Sequence, residues 1–253
     1  MTKTLLAVVA IPLGFALLLG AEILHGVLGE RLAPSEPYRL DGTFGAGEPL
    51  RMVWLGNSVA AGVGASGPDA SLPRLVAENL GRRVDLRVFA VSGERVRGAL
   101  EDQVPLVEDL DPPPEVVLVE IGANDVIHLT GGGSFRRDYD RVLDRALAVG
   151  DARVIALGLP AFANTPRFLQ PLRSIIAWRS RRLDDEVRAS ALRHGASYVD
   201  IAALTEPGFA ADPEGTHAAD RFHPNDEGHR LWAEAVLSVL SPMVERLGVD
   251  DPS

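Results

Sequence analysis

The sequence predicts an α/β fold built on a parallel sheet with helices on both faces. Three observations carry this. Apolar strand-like runs alternate with helical patterns from Leu50 onward. The run Val116 to Ile121 is almost wholly aliphatic and β-branched, as a central strand covered on both faces requires. The segments able to carry chemistry fall just after the strands, at the sheet end where open α/β folds place their sites.

Met52 to Leu55 reads as a short buried strand and Leu72 to Leu80 as a helix. Val84 to Val91 is a second strand and Val96 to Val107 a second helix. Asp111-Pro-Pro-Pro114 is a stiff turn into the central strand. Tyr139 to Val149 is helical, Val154 to Leu159 is a strand, and a long helix runs from about Ser174 to His194. Tyr198 to Ile201 is a fifth, short strand. The last helix starts near Asp226 and aligns Trp232, Val236, Val239, Met243 and Leu247 on one face. Such alternation implies right-handed crossovers.

The 253 residues suffice for one sizeable core. The expected division is an N-terminal segment over 1–24, a tether over 25–49 and a folded domain over 50–253. Lys3 precedes an uncharged apolar run from Leu5 to Ala21, at the lower edge of membrane-spanning length. It reads as an uncleaved anchor or as the core of a cleaved signal peptide; a buried core helix fits less well, since the run has no polar face. Lys3 and the free amine put the N-terminus in the cytoplasm. The expectation is therefore a membrane-anchored domain outside the cytoplasm, or a secreted one after cleavage. Pro34, Pro37, Gly42, Gly45 and Gly47 break up the tether.

A net charge of -10 argues against nucleic acid as partner. The chain has no cysteine, which excludes disulfides, thiolate nucleophiles and cysteine-ligated zinc.

Four segments can carry chemistry. In Trp54 to Ala65, Ser58 follows a buried strand among small residues; read alone, this is also plain turn composition. Gly62 and Gly64 are not followed by Gly-Lys-Ser/Thr, so a P-loop is not indicated. Ser92-Gly93 alone is a turn. Gly122-Ala-Asn-Asp125 offers the Asn124 amide, an uncharged donor suited to an oxyanion, or else an Asx-turn or helix cap. In Asp220-Arg-Phe-His-Pro-Asn225, His223 can take and return a proton, and a carboxylate three residues earlier can hold its tautomer. Pro224 biases His223 toward extended backbone. His25, His128, His194, His217 and His229 read as structural or solvated. A metal site of His217, His223 and His229 with Asp220 matches no common zinc spacing.

Taken together and in this order, the four segments resemble the SGNH (GDSL-like) hydrolases, named for Ser, Gly, Asn and His in four blocks. Gly-Asn-Ser58 matches the first block, usually Gly-Asp-Ser. Gly93 matches the second. Gly122-Ala-Asn124-Asp125 matches the third, Gly-x-Asn-Asp, and Asp220-Arg-Phe-His223 matches Asp-x-x-His. The resemblance covers about Leu50 to Leu247. It implies a flavodoxin-like three-layer α/β/α sandwich with a five-stranded parallel sheet and no metal or organic cofactor. It implies Ser58 as nucleophile, His223 as general base and then acid, and Asp220 as its orienting carboxylate. The implied oxyanion hole is the backbone N–H of Ser58, the backbone N–H of Gly93 and the side-chain amide of Asn124.

Asn57 departs from the pattern: it keeps one acceptor oxygen but loses the charge of the usual Asp. The activity implied is hydrolysis of acyl esters, of a small molecule, a lipid or an acetylated sugar, through an acyl-enzyme. Transfer of the acyl group to another alcohol uses the same residues. A degenerate, accessory protein on this fold is the rival from another class, and Asn57 is its only support. Phe162, Phe168 and Leu169, between Pro160 and Pro171, line an acyl pocket or belong to the core.

Overall fold

The structure, a computed structural model, describes residues 14, 16–22, 24, 28, 32 and 38–247. Its strands are β1 (Gly42–Phe44), β2 (Pro49–Gly56), β3 (Arg83–Val88), β4 (Val116–Glu120), β5 (Arg153–Leu157) and β6 (Ser197–Val199). They form one sheet in the order β1-β3-β2-β4-β5-β6. Only β1 pairs antiparallel, on the edge of β3; the other pairs are parallel. The five parallel strands thus run in the flavodoxin order. The additional strand beyond the five expected, β1, lies in the stretch read as tether. Three residues, the first a glycine, are too short to show a period of two, yet Gly42, Thr43 and Phe44 pair with Leu86, Asp85 and Val84. Nearby, Leu40 is buried and the Tyr38 hydroxyl donates to Ala65 O at 3.0 Å.

The helices of the domain are α1 (Leu72–Asn79), α2 (Val96–Gly98, continued through a π-helical turn at Ala99–Gln103 into Val104–Glu108), α3 (Ala123–Ile127), α4 (Gly132–Leu147), α5 (Leu172–His194), α6 (Ile201–Ala211) and α7 (Asp226–Leu247). Strand side chains alternate between the two faces of the sheet. Val53, Leu55, Val117 and Val119 pack with α2, α4 and α5. Met52, Trp54, Leu118 and Ile155 pack with α1 and α7. Each such buried side chain contributes about 1.5–3 kcal/mol, which makes the sheet a rigid platform for the loops at its carboxyl end.

Among the helices, α4 and α6 depart most from the sequence pattern. α4 begins seven residues before Tyr139, because Gly132 and Gly133 hide its first turn. α6 is unanticipated, because Pro207 and Gly208 lie inside it. Asp200 starts it, its carboxylate accepting from Ala203 N–H at 3.0 Å.

The N-terminal expectation is corrected. Among the described residues, no helix is long and apolar enough to cross a membrane, which overturns the membrane-anchored, extracytoplasmic placement. Residues 5–13 and 15 of the apolar run lie outside the described residues. The described helical residues there include a buried carboxylate: Glu22 is 5% exposed and accepts from the Leu172 N–H that opens α5, at 2.9 Å.

The chain leaves β2 toward β3 on one side and resumes at β4 on the other. The loops after β2 and β4 therefore diverge and open a crevice at the strand ends.

Candidate active site

Ser58 sits in the turn that leaves β2. The turn is closed by Asn57 N–H to Glu120 O (3.1 Å), Ala61 N–H to Asn57 O (2.9 Å) and Val63 N–H to Ser58 O (2.8 Å). It approaches β4 closely at Gly56, where a Cβ would lie 2.8 Å from Glu120 O and 2.5 Å from Ala60 Cβ. The backbone of Gly56 is also gripped by the buried Gln103 side chain, whose amide accepts from Gly56 N–H and donates to Gly56 O, both at 2.9 Å. Gln103 ends the π-helical turn of α2, a local irregularity that aims this amide at β2.

His223 and Asp220 lie on the loop before α7. His223 Nε2 is 3.0 Å from Ser58 Oγ, and His223 Nδ1 is 2.6 Å from Asp220 Oδ2. The other oxygen, Asp220 Oδ1, accepts from the N–H groups of Phe222 and His223, each at 3.0 Å. Burial alone would raise the Asp220 pKa. The bond and charge of His223, with the two backbone N–H groups, outweigh it and hold the carboxyl below its ordinary range. Asp220 is thus a carboxylate at neutral pH and fixes the proton on His223 Nδ1, which leaves Nε2 as an acceptor facing the Ser58 hydroxyl. The loop is braced by Ala218 N–H to His223 O (2.8 Å) and by Arg167, which donates to Asp220 O and Arg221 O at 2.9 Å each. It docks on the serine turn where Gly64, at φ +96°, would place a Cβ 2.1 Å from Pro224 O; only glycine allows that approach.

Asn124, in the first turn of α3, donates from Nδ2 to Glu94 O at 2.9 Å. Asp125 Oδ2 accepts from Val96 N–H at 3.0 Å. The two side chains gather the Gly93 loop beside the end of β4. Gly93 has φ +84°. Among the described residues, neither Ser58 N–H nor Gly93 N–H has an acceptor. Ser58, Asn124 and His223 line one cavity; Gly93 stays outside its lining.

The structure also shows what surrounds Asn57. It is fully buried; its Oδ1 accepts from Val59 N–H at 3.3 Å, and its Nδ2 has no partner among the described residues. Beside it stands Glu120, 3% exposed, whose Oε2 accepts from Ala60 N–H (3.1 Å) and Asn57 N–H (3.4 Å). Burial pushes this carboxyl up to about 8 against the bonds from those two N–H groups, so it is mostly protonated at pH 7. Reading Val116 to Ile121 as aliphatic passes over Glu120, and its single polar side chain in an apolar run was the available signal.

The remaining histidines go to separate partners. His194 meets Asp140 and Asp144, and His128 is exposed. His217 Nδ1 lies 2.6 Å from Pro213 O, and burial lowers its pKa. His25 lies outside the described residues. His229, fully buried, accepts from Leu72 N–H at Nδ1 (3.2 Å), so Nε2 carries the proton given to Val63 O (3.1 Å). It ties α7 to α1 and to the serine turn. Burial lowers its pKa to about 4. The depressed value makes its contribution to stability complete above its ordinary value near 6.5, and that contribution is lost as pH falls toward 4. Between those limits, unfolding free energy is expected to fall by about 3 kcal/mol more in the unmodified chain than in His229→Gln. Parallel denaturant titrations check this, and equal falls in the two proteins would contradict it.

The cavity walls are largely apolar: Val59, Phe162, Phe209, Phe222 and Trp232. Of the residues between Pro160 and Pro171, Phe162 lines it. Phe168 packs edge-on against Phe162 and Phe222 in the core, and Leu169 is 44% exposed. Asn164, Thr165 and Glu206 bring polar groups to the same cavity. Neither Asn164 nor Glu206 stands out in the sequence.

The model of the GDSL-like Lipase/Acylhydrolase family matches residues 54–231. A GDSL-like esterase of Mycobacterium tuberculosis is 31% identical over 206 residues, which cover 79% of this chain; the match spans 65% of that protein's length. Among solved structures, a psychrotrophic esterase from Pseudoalteromonas sp. superposes with a TM-score of 0.60 at 17% identity, covering 77% of this chain and 98% of the other. A phospholipase A1 from Streptomyces albidoflavus gives 0.59 at 21% identity, covering 75% and 98%. At these identities the two structures speak for the fold.

Proposed function

The chain belongs to the GDSL-like Lipase/Acylhydrolase family, and from that premise we propose that it hydrolyses carboxylic esters through an acyl-enzyme on Ser58. The observation that carries this reading is the row Ser58 Oγ, His223 Nε2, His223 Nδ1, Asp220 Oδ2, with spacings of 3.0 and 2.6 Å, at the wall of a largely apolar cavity. His223 takes the Ser58 proton as Oγ attacks the ester carbonyl, then gives it to the departing alcohol. Water, deprotonated by the same Nε2, attacks the acyl-enzyme, and collapse returns the proton to Oγ. Asp220 keeps Nδ1 protonated and stabilises the imidazolium at each transfer. Ser58 N–H, Gly93 N–H and Asn124 Nδ2 receive the negative charge on the carbonyl oxygen. The Asn124 amide can serve because its bond to Glu94 O uses one of its two protons and fixes the direction of the other.

A series of aryl esters of graded acyl length, assayed beside labelling by a fluorophosphonate probe, tests the reading. Turnover and labelling are both expected; a chain inert to every ester and to the probe would reject it. Asn124→Ala is expected to raise the barrier by about 3 kcal/mol, read as a fall in kcat with unchanged thermal stability. A change confined to KM would make Asn124 a substrate-binding residue instead.

A further inference from the structure

The cavity holds polar groups that the hydrolytic steps leave unused. Glu206, half-buried on α6, and Asn164, on the loop between β5 and α5, both line it. Asn164 Nδ2 donates to Glu206 Oε1 at 2.6 Å, so the two side chains form one rigid unit across the cavity. Thr165 and Thr205 lie beside them. The Thr205 hydroxyl gives its proton to Ile201 O at 2.8 Å and is left as an acceptor.

A carboxylate is a costly neighbour for a site that must stabilise a developing oxyanion. Among the described residues that line the cavity Glu206 is the only acid, and none is a Lys or Arg that could neutralise it. Its bond to Asn164 leaves the second carboxylate oxygen, the second amide proton and the amide oxygen available, so acceptors and a donor sit side by side. Vicinal hydroxyls present the same alternation, since each both donates and accepts. The negative charge repels a carboxylate or phosphate carried by the alcohol.

We propose that Glu206 and Asn164 form the subsite for the alcohol portion of the ester and select alcohols bearing free hydroxyls, such as a polyol or a sugar, over bare and anionic ones. This rests on the hydrolase reading and names its substrate class. A quaternary ammonium alcohol would also meet a carboxylate among aromatic rings, but it has nothing to offer the Asn164 amide.

The test compares kcat/KM of the full chain on four acetate esters: phenyl acetate, a monoacetylated hexose, O-acetylglycolate and acetylcholine. The unmodified chain is expected to favour the acetylated hexose. In both Glu206→Gln and Asn164→Ala, activity on that ester should fall about tenfold or more relative to activity on phenyl acetate. Glu206→Gln should also raise activity on O-acetylglycolate. Phenyl acetate reports whether each variant keeps an intact site, and Asn164→Ala, on a loop, stands in if the helical variant does not fold. Equal losses on phenyl acetate and the hexose ester, or a preference for acetylcholine, would overturn the subsite and leave the hydrolase reading standing. An unmodified chain inert to all four esters would overturn both.

Discussion

Ser58→Ala is expected to abolish fluorophosphonate labelling and to lower ester turnover by about four orders of magnitude or more, with the fold unchanged. The size follows from what the substitution leaves behind. His223, Asp220 and the cavity walls stay in place, but Nε2 then faces a methyl group instead of a hydroxyl 3.0 Å away. No covalent intermediate can form. On the proposed mechanism the Gly93 N–H and the Asn124 amide would still meet a bound ester, so residual catalysis over water of about 10³-fold is expected. The fold should tolerate the change, because the turn is held by backbone bonds from Asn57, Ala61 and Val63 and by the Gln103 grip on Gly56, none through Ser58 Oγ. Turnover and labelling of the purified variant, with its thermal midpoint, check this. Ester turnover close to that of the unmodified chain would remove Ser58 from the mechanism.

The residues of the candidate site whose convergence is legible in the sequence are set by local features. Asp220 and His223 are three residues apart, and one turn of backbone suffices to join them. Ser58, Gly93 and Asn124 follow strands that periodicity identifies, and a parallel sheet brings the carboxyl ends of its strands together. What was not legible depends on distant packing. Glu206 lies on α6, a helix masked by Pro207 and Gly208, and it meets Asn164 across 42 positions of sequence. Trp232 belongs to the apolar face of α7 as its spacing indicates, yet it also reaches the cavity wall. Gln103 acts through a π-helical turn that no periodicity encodes. The edge strand Gly42–Phe44 is set by pairing with β3 and not by its own composition. Hydropathy of the apolar run, taken alone, pointed to a membrane. It did not register that Glu22, at the end of that run, is buried against the start of α5.

His223→Ala is expected to be nearly as severe as Ser58→Ala, and the double variant little worse than either. In the row from Ser58 to Asp220 the imidazole is the sole link: Nε2 reaches Oγ and Nδ1 reaches Oδ2, and no other base lies in hydrogen-bond contact with the hydroxyl among the described residues. Without it, Ser58 Oγ–H must lose its proton to water, and the alcohol must leave without a donor. Neither the hydroxyl nor the imidazole has a separate route to the product, so removing the second gains nothing further. The variant also strips Asp220 of the partner that outweighs its burial, so the carboxyl pKa should rise. That shift acts on a group already out of the reaction path and adds no further loss. The measurement is kcat/KM for a short aryl ester in the two single variants and the double, analysed as a cycle. Losses that multiply, with the double variant slower than either single by a further factor of about 10³, would show that Ser58 and His223 act independently and would break the nucleophile–base assignment.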